Sequence, residues 1–225
     1  MPTEIPLNII LNTSTKLKIL RLFFSHTADF RVPGREIARR INMSAPAVHA
    51  ALKDLFSQDV LKIEIIGKQH IYVLNSKNRI VKDILEPSFK KELSLQEDIK
   101  LFLLKKFEES GVKHKIKSLI LYGSLQRAKA TGTSDVDIAV IVKNAENAKE
   151  IEDKIIGDIA RQFKEYFGLN LDAYIKPEAE FINRIEKKLP PVSTLMESYS
   201  VFFGKDPGDL KNYVAKRNKD KKRRT

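Results

Sequence analysis

The chain has 225 residues, a net charge of +12, 42% hydrophobic residues, no cysteine, and nine glycines and nine prolines. That composition supports a packed core in one large or two small domains and excludes collagen-like architecture, disulfide scaffolds, thiol catalysis and cysteine-ligated zinc. No apolar run approaches the roughly 18 residues that span a bilayer, and the N-terminus lacks a basic leader, so a cytoplasmic protein with no membrane partner is expected. In chain order, Leu17, Leu20, Phe23 and Phe24 recur at helical spacing over residues 15–25. Pro33, a good first-turn residue, opens a second short helix, GREIARRI. Ser44 is a natural N-cap for a third helix, on which Val48, Ala51, Leu52 and Leu55 form one apolar stripe. Two β-branched runs then meet at Gly67-Lys68, which reads as a hairpin.

Three helices and then a hairpin is the order of a winged helix-turn-helix. Residues 13–75 resemble that family in Glu36-Ile37-Ala38, the short turn after them, the Ser44–Leu55 helix, and Val60-Leu61 entering the wing. Asp59 stands where the family usually has glycine, and Asp tolerates the left-handed conformation better than most residues. The resemblance implies DNA binding. The Ser44 helix would enter the major groove, with Arg39, Arg40, His49 and Lys53 nearby and Lys68 at the wing tip close to phosphate.

Pro87 interrupts the stretch that follows, so residues 79–93 read as a connector between a first domain, 1–78, and a second, 94–205. Ser94 and Glu97 form a capping box opening a helix that Gly111 closes. KSLILY is a buried strand ending at Gly123-Ser124, DVDIAVIV a second, and LNLDAYI a third, after a long amphipathic helix stopped by Gly168. Two further helical patterns start at Pro177 and Pro191 and lead to a basic tail, 206–225. The charge gathers at the ends, +6 over residues 1–80 and +6 over the last ten, which points to a polyanionic partner.

The chemistry sits between the first two of these strands. Gly123-Ser124 follows a strand and precedes a helix start, where backbone N–H groups converge on an anion and glycine lets the chain approach phosphate. Asp135 and Asp137 are two apart on a strand and leave the same face, an arrangement that a divalent cation neutralises. Asp172 lies between apolar neighbours and faces the same site if its strand runs beside DVDIAVIV.

Together these residues resemble the DNA polymerase β-like nucleotidyltransferases, in particular the minimal, kanamycin-nucleotidyltransferase-like members. The shared pattern is a Gly-Ser at a strand end, ten residues, Asp-x-Asp, and a carboxylate on a later strand, here over about residues 95–205. Arg127 and Ser134 also fit, while Ala128 departs from the usual glycine. The fold expected is α+β in two domains, the second with a short mixed sheet. The resemblance implies that Asp135, Asp137 and Asp172 hold Mg²⁺ (or Mn²⁺) and that Gly123, Ser124, Arg127 and Ser134 bind the NTP, Lys129 being a weaker candidate. Asp172 would also take the proton of the attacking hydroxyl. The expected function is transfer of NMP to a hydroxyl of RNA or of a partner protein. The alternative is a DNA-binding regulator, or a toxin–antitoxin component acting on a HEPN-type partner. A homodimer is a further expected partner state.

Overall fold

The computed structural model describes residues 7–126 and 135–209. The chain divides into two units, Met1–Leu95 and Gln96–Thr225. In the first, α1 (Leu7–Ile10) leads into α2 (Ser14–Phe24), whose N-cap Thr13 accepts from the Lys16 N–H at 3.2 Å. A short β1 (Val32–Pro33) precedes α3 (Gly34–Ile41), and α4 (Ala45–Ser57) follows with Ser44 at its N-cap. Ser44 has the extended backbone of a cap, but its hydroxyl makes no capping hydrogen bond. Asp59 is left-handed at φ 55°, in the conformation that glycine would adopt there. β2 (Leu61–Ile66) and β3 (Gln69–Leu74) pair antiparallel across Gly67-Lys68, and β1 adds to the far side of β3.

The predicted stripes form the core of this unit: Leu20 and Phe23 of α2, Ile37 of α3, and Val48, Leu52 and Leu55 of α4. Each such buried side chain contributes roughly 2 kcal/mol of transfer free energy. Nothing in the pattern foretold Lys16, which is 2% exposed within it. Its ammonium donates to the Ile9 carbonyl at 2.7 Å and to Asn12 Oδ1 at 3.0 Å, and it pairs with Asp54 at 2.7 Å. That one cation therefore ties the segment before α2 to α4.

The stretch 79–93 is helical and packs onto this core. A π turn, Val81–Leu85, runs into α5 (Glu86–Leu93), and Val81, Leu85 and Phe89 are buried at four-residue spacing. Pro87 sits in the first turn of α5, just after the widened π turn, where a ring without an N–H is tolerated.

The second unit starts with α6 (Leu95–Glu109) and β4 (Ile116–Tyr122), then the single turn α7 (Gly123–Gln126) and β5 (Val136–Val142). A long helix follows as α8 (Ala145–Lys154) and α9 (Ala160–Phe167), joined by a π turn and ended by left-handed Gly168. β6 (Leu171–Pro177), α10 (Glu178–Glu186), α11 (Val192–Leu195) and β7 (Ser200–Gly204) complete it. The sheet order is β6-β5-β4-β7, with β5 and β6 parallel and the other pairs antiparallel. The sheet is mixed, as expected, but β7 was not foreseen in the run Val201-Phe202-Phe203. On one face, Ile120, Ala139 and Ile141 pack under Phe181, Val192 and Leu195 of α10 and α11. Side chains alternate across a strand, so Asp137 leaves β5 on that same face.

Candidate active site

Three strands carry the site in one row. Tyr122 at the end of β4 pairs with Asp137 on β5, and Asp137 pairs with Asp172 on β6. β6 does run beside β5, and two carboxylates from different parts of the chain stand in register on adjacent strands. The next row, two residues on, is Ile120, Ala139 and Tyr174, which is apolar apart from the Tyr174 hydroxyl. That hydroxyl is buried and has no hydrogen-bond partner among the described residues.

Like charges so placed repel, and the neighbouring phenol registers their field. Burial first, then Asp137 and Asp172, push Tyr122 up to about 12, so it remains a protonated donor near neutrality. An all-oxygen, doubly negative pair has the chemistry of a hard divalent cation, not of zinc. Asp135 is placed differently. It lies just before β5, where its Oδ1 accepts from Asn170 Nδ2 at 3.0 Å, and the Val136 N–H donates to the Asn170 carbonyl at 2.9 Å. Among the described residues, no three carboxylates or imidazoles converge closely enough to hold a metal. The three predicted acids thus stand as an in-register pair with Asp135 fastened to Asn170.

Gly123 was expected to let phosphate approach the backbone. Here it is the Asp137 carboxylate that approaches: a Cβ at position 123 would lie 1.8 Å from Asp137 Oδ2, and φ is +78°. Ser124 lies in α7, directly after that glycine. The turn is anchored from two sides, by Gln96 Nε2 donating to the Leu125 carbonyl at 3.0 Å and by Ser198 Oγ donating to Gln126 Oε1 at 2.6 Å. Arg127, Lys129 and Ser134 lie outside the described residues, as do residues 210–225 of the basic tail. Sequence reasoning missed Asn170, Gln96, Gln126 and Ser198, whose partners are 29 to 72 residues away.

The predicted nucleic-acid residues of the first unit fall into two sets. Arg39 and Arg40 both bind Glu36, through Arg39 Nη2 and Arg40 Nε each at 2.7 Å from the carboxylate. Those two guanidiniums hold the Glu36 carboxyl down at about 2. His49 and Lys53 on α4 and Lys68 at the hairpin turn have no hydrogen-bond or ion-pair partner among the described residues.

Residues 104–188 match the family model described as polymerase beta, nucleotidyltransferase. The chain is 30% identical over 98 residues to a Methanocaldococcus jannaschii protein named "Putative protein adenylyltransferase". That match covers 43% of this chain and 64% of the relative, so the chain spans just under two thirds of the relative's length. A solved structure described as "Crystal structure of the toxin-antitoxin with AMP-PNP" is similar at 12% identity, with a TM-score of 0.33 over 54% of this chain and 87% of that chain. No described helix is long and apolar enough to cross a membrane.

Proposed function

We propose that the chain transfers AMP from ATP to a hydroxyl of a protein. The observation that carries this reading is the register of Asp137 and Asp172 beside the Gly123-Ser124 turn, inside the segment that matches a nucleotidyltransferase model. The choice of ATP and of a protein acceptor is supported by the name of the archaeal relative. Asp137 and Asp172, with Asp135 at their edge, would hold Mg²⁺ or Mn²⁺, which supplies neutralisation of the triphosphate and of charge developing at the α-phosphorus. Ser124 and the backbone of α7 would bind the phosphates, with Arg127 and Ser134 added on the strength of the sequence motif. In the step itself the acceptor oxygen attacks the α-phosphorus, forming a new P–O bond. The anhydride between the α- and β-phosphates breaks and pyrophosphate leaves. Asp172, on the edge strand of the sheet, takes the hydroxyl proton.

The first unit we read as a winged helix that binds DNA, with α4 as its recognition helix. The support is the element order and the unpaired basic side chains on α4 and the hairpin turn. The transfer reading has a direct test. Incubation with α-labelled ATP, Mg²⁺ and cell lysate, followed by separation of protein, RNA and small molecules, should place the label on protein. Asp172→Asn should remove it. Label only on a metabolite or on RNA would overturn the acceptor assignment.

A further inference from the structure

In the first unit a cleft of about 710 Å³ opens between α3, the start of α4 and the hairpin of β2 and β3. Its floor is apolar, with Val48, Leu52 and Tyr72 all buried. Gly34 closes it from the side, where a Cβ would lie 3.4 Å from Leu52 Cδ1 and 3.5 Å from Tyr72 Cε2. Its lining carries the cations Arg35 and Arg39 of α3 and Lys68 of the turn, the imidazoles of His49 and His70, and the Glu36 carboxylate, which pairs with Arg39. A volume in the range of roughly 300–1,000 Å³, an apolar floor and a few convergent polar groups are the marks of a small-ligand site.

The pairing of charges within this unit narrows the ligand. Lys16, Arg21, Arg31, Arg39 and Arg40 are each matched by a carboxylate. Arg35 on α3 and Lys68 on the hairpin turn both line the cleft, are exposed and have no partner among the described residues, and neither do His49 and His70. Glu36 is already taken up by Arg39 and Arg40, so Arg35 and Lys68 are left unmatched in one concavity, where an anion bound between them would be stabilised. An anion with a flat apolar body would fill the floor as well. A base pair inside a duplex offers no such protruding body, because its faces are stacked on its neighbours.

We propose that this cleft binds a nucleotide, with its base over the Leu52 and Tyr72 floor and its phosphate between Arg35 and Lys68. Two sources share that chemistry, a free mononucleotide and an unpaired residue of a strand. The site belongs to the first unit, whereas Asp137 and Asp172 belong to the second, and it does not depend on the transfer reaction.

The test uses the full chain in EDTA, with three fluorescent probes: AMP, a single-stranded pentanucleotide, and a blunt duplex. The parent is compared with Arg35→Glu/Lys68→Glu and with Lys77→Glu/Lys82→Glu, which changes charge equally at exposed residues away from the cleft. AMP or the single strand should bind the parent, and the cleft double variant should weaken it about tenfold or more, as expected for lost charge-assisted contacts. The Lys77/Lys82 variant should bind as the parent does. Binding of AMP but not of the strand would identify the free nucleotide as the source, and tighter binding of the strand would identify an unpaired residue. Binding of the duplex alone, binding of no probe, or equal weakening in both double variants would overturn the proposal. Arg35→Gln/Lys68→Gln, which adds no repulsive charge, should give the same order of effects.

Discussion

The second unit holds two like charges in register, Asp137 beside Asp172, whereas the first unit buries a charge only with its counter-charge, as Lys16 with Asp54. The first arrangement brings two carboxylates from distant parts of the chain side by side on a sheet; the second fastens a helix. The contrast separates charges that build the fold from charges that we propose bind a ligand. Like charges that a sheet brings into register are a candidate site, and a buried cation satisfied by its neighbours marks architecture. Arg35 and Lys68 of the first unit's cleft, which lack a counter-charge among the described residues, belong with the proposed sites, and the doubly paired Glu36 belongs with Lys16.

Changes at single residues should sharpen this division, beginning with the largest effect. Gly123→Ala puts a Cβ where the Asp137 carboxylate lies, so the side chain must swing away. We expect transfer to fall by about a hundredfold or more, the cost of displacing a reacting group by about 1 Å. Stability should fall by only about 1–2 kcal/mol, mainly from the left-handed backbone. A variant with parental activity would show that Asp137 is not held as described. In Lys16→Ala the order is reversed. Urea melts should show a loss of about 2–4 kcal/mol, because the Ile9 carbonyl and Asn12 lose their donor and a cavity replaces the stem. Transfer by the remaining folded protein should be unchanged; a parental melting curve would remove Lys16 from the architecture. Gly67→Ala is the smallest change. Its φ is +60° but nothing lies within 4 Å of the added Cβ, so about 1 kcal/mol of strain should be the whole effect in a urea melt.

Legibility in the sequence followed the range of the interactions. The helices of the first unit were readable because Leu20 and Phe23, or Leu52 and Leu55, recur at a spacing fixed by the local helix. The same periodicity marks Val81, Leu85 and Phe89, but Pro87 among them argued for a break, and the π turn that accommodates it has no sequence signature. Gly123, Asp135 and Asp137 were readable as a motif, since they lie close together in the chain. What the motif did not convey is that the glycine makes room for Asp137 itself. β7 depends on β4, some 80 residues earlier, for its pairing, and three β-forming residues after a helical pattern do not announce a strand. Asn170 is an ordinary loop residue until β6 docks beside β5 and brings it to Asp135. The roles of Arg127 and Ser134 rest on the motif alone, because both lie outside the described residues.

The most direct test of the division is ATP binding, which needs no knowledge of the acceptor. Isothermal titration of the full chain with ATP in the presence of Mg²⁺ should show binding that EDTA abolishes. Asp137→Asn should weaken that binding by about a hundredfold or more while leaving the circular dichroism unchanged and the melting temperature no lower than the parent's, because a repelling charge is removed and the volume is kept. Binding of Mg²⁺-ATP by Asp137→Asn with the parent's affinity would contradict the assignment of the paired carboxylates as the nucleotide site.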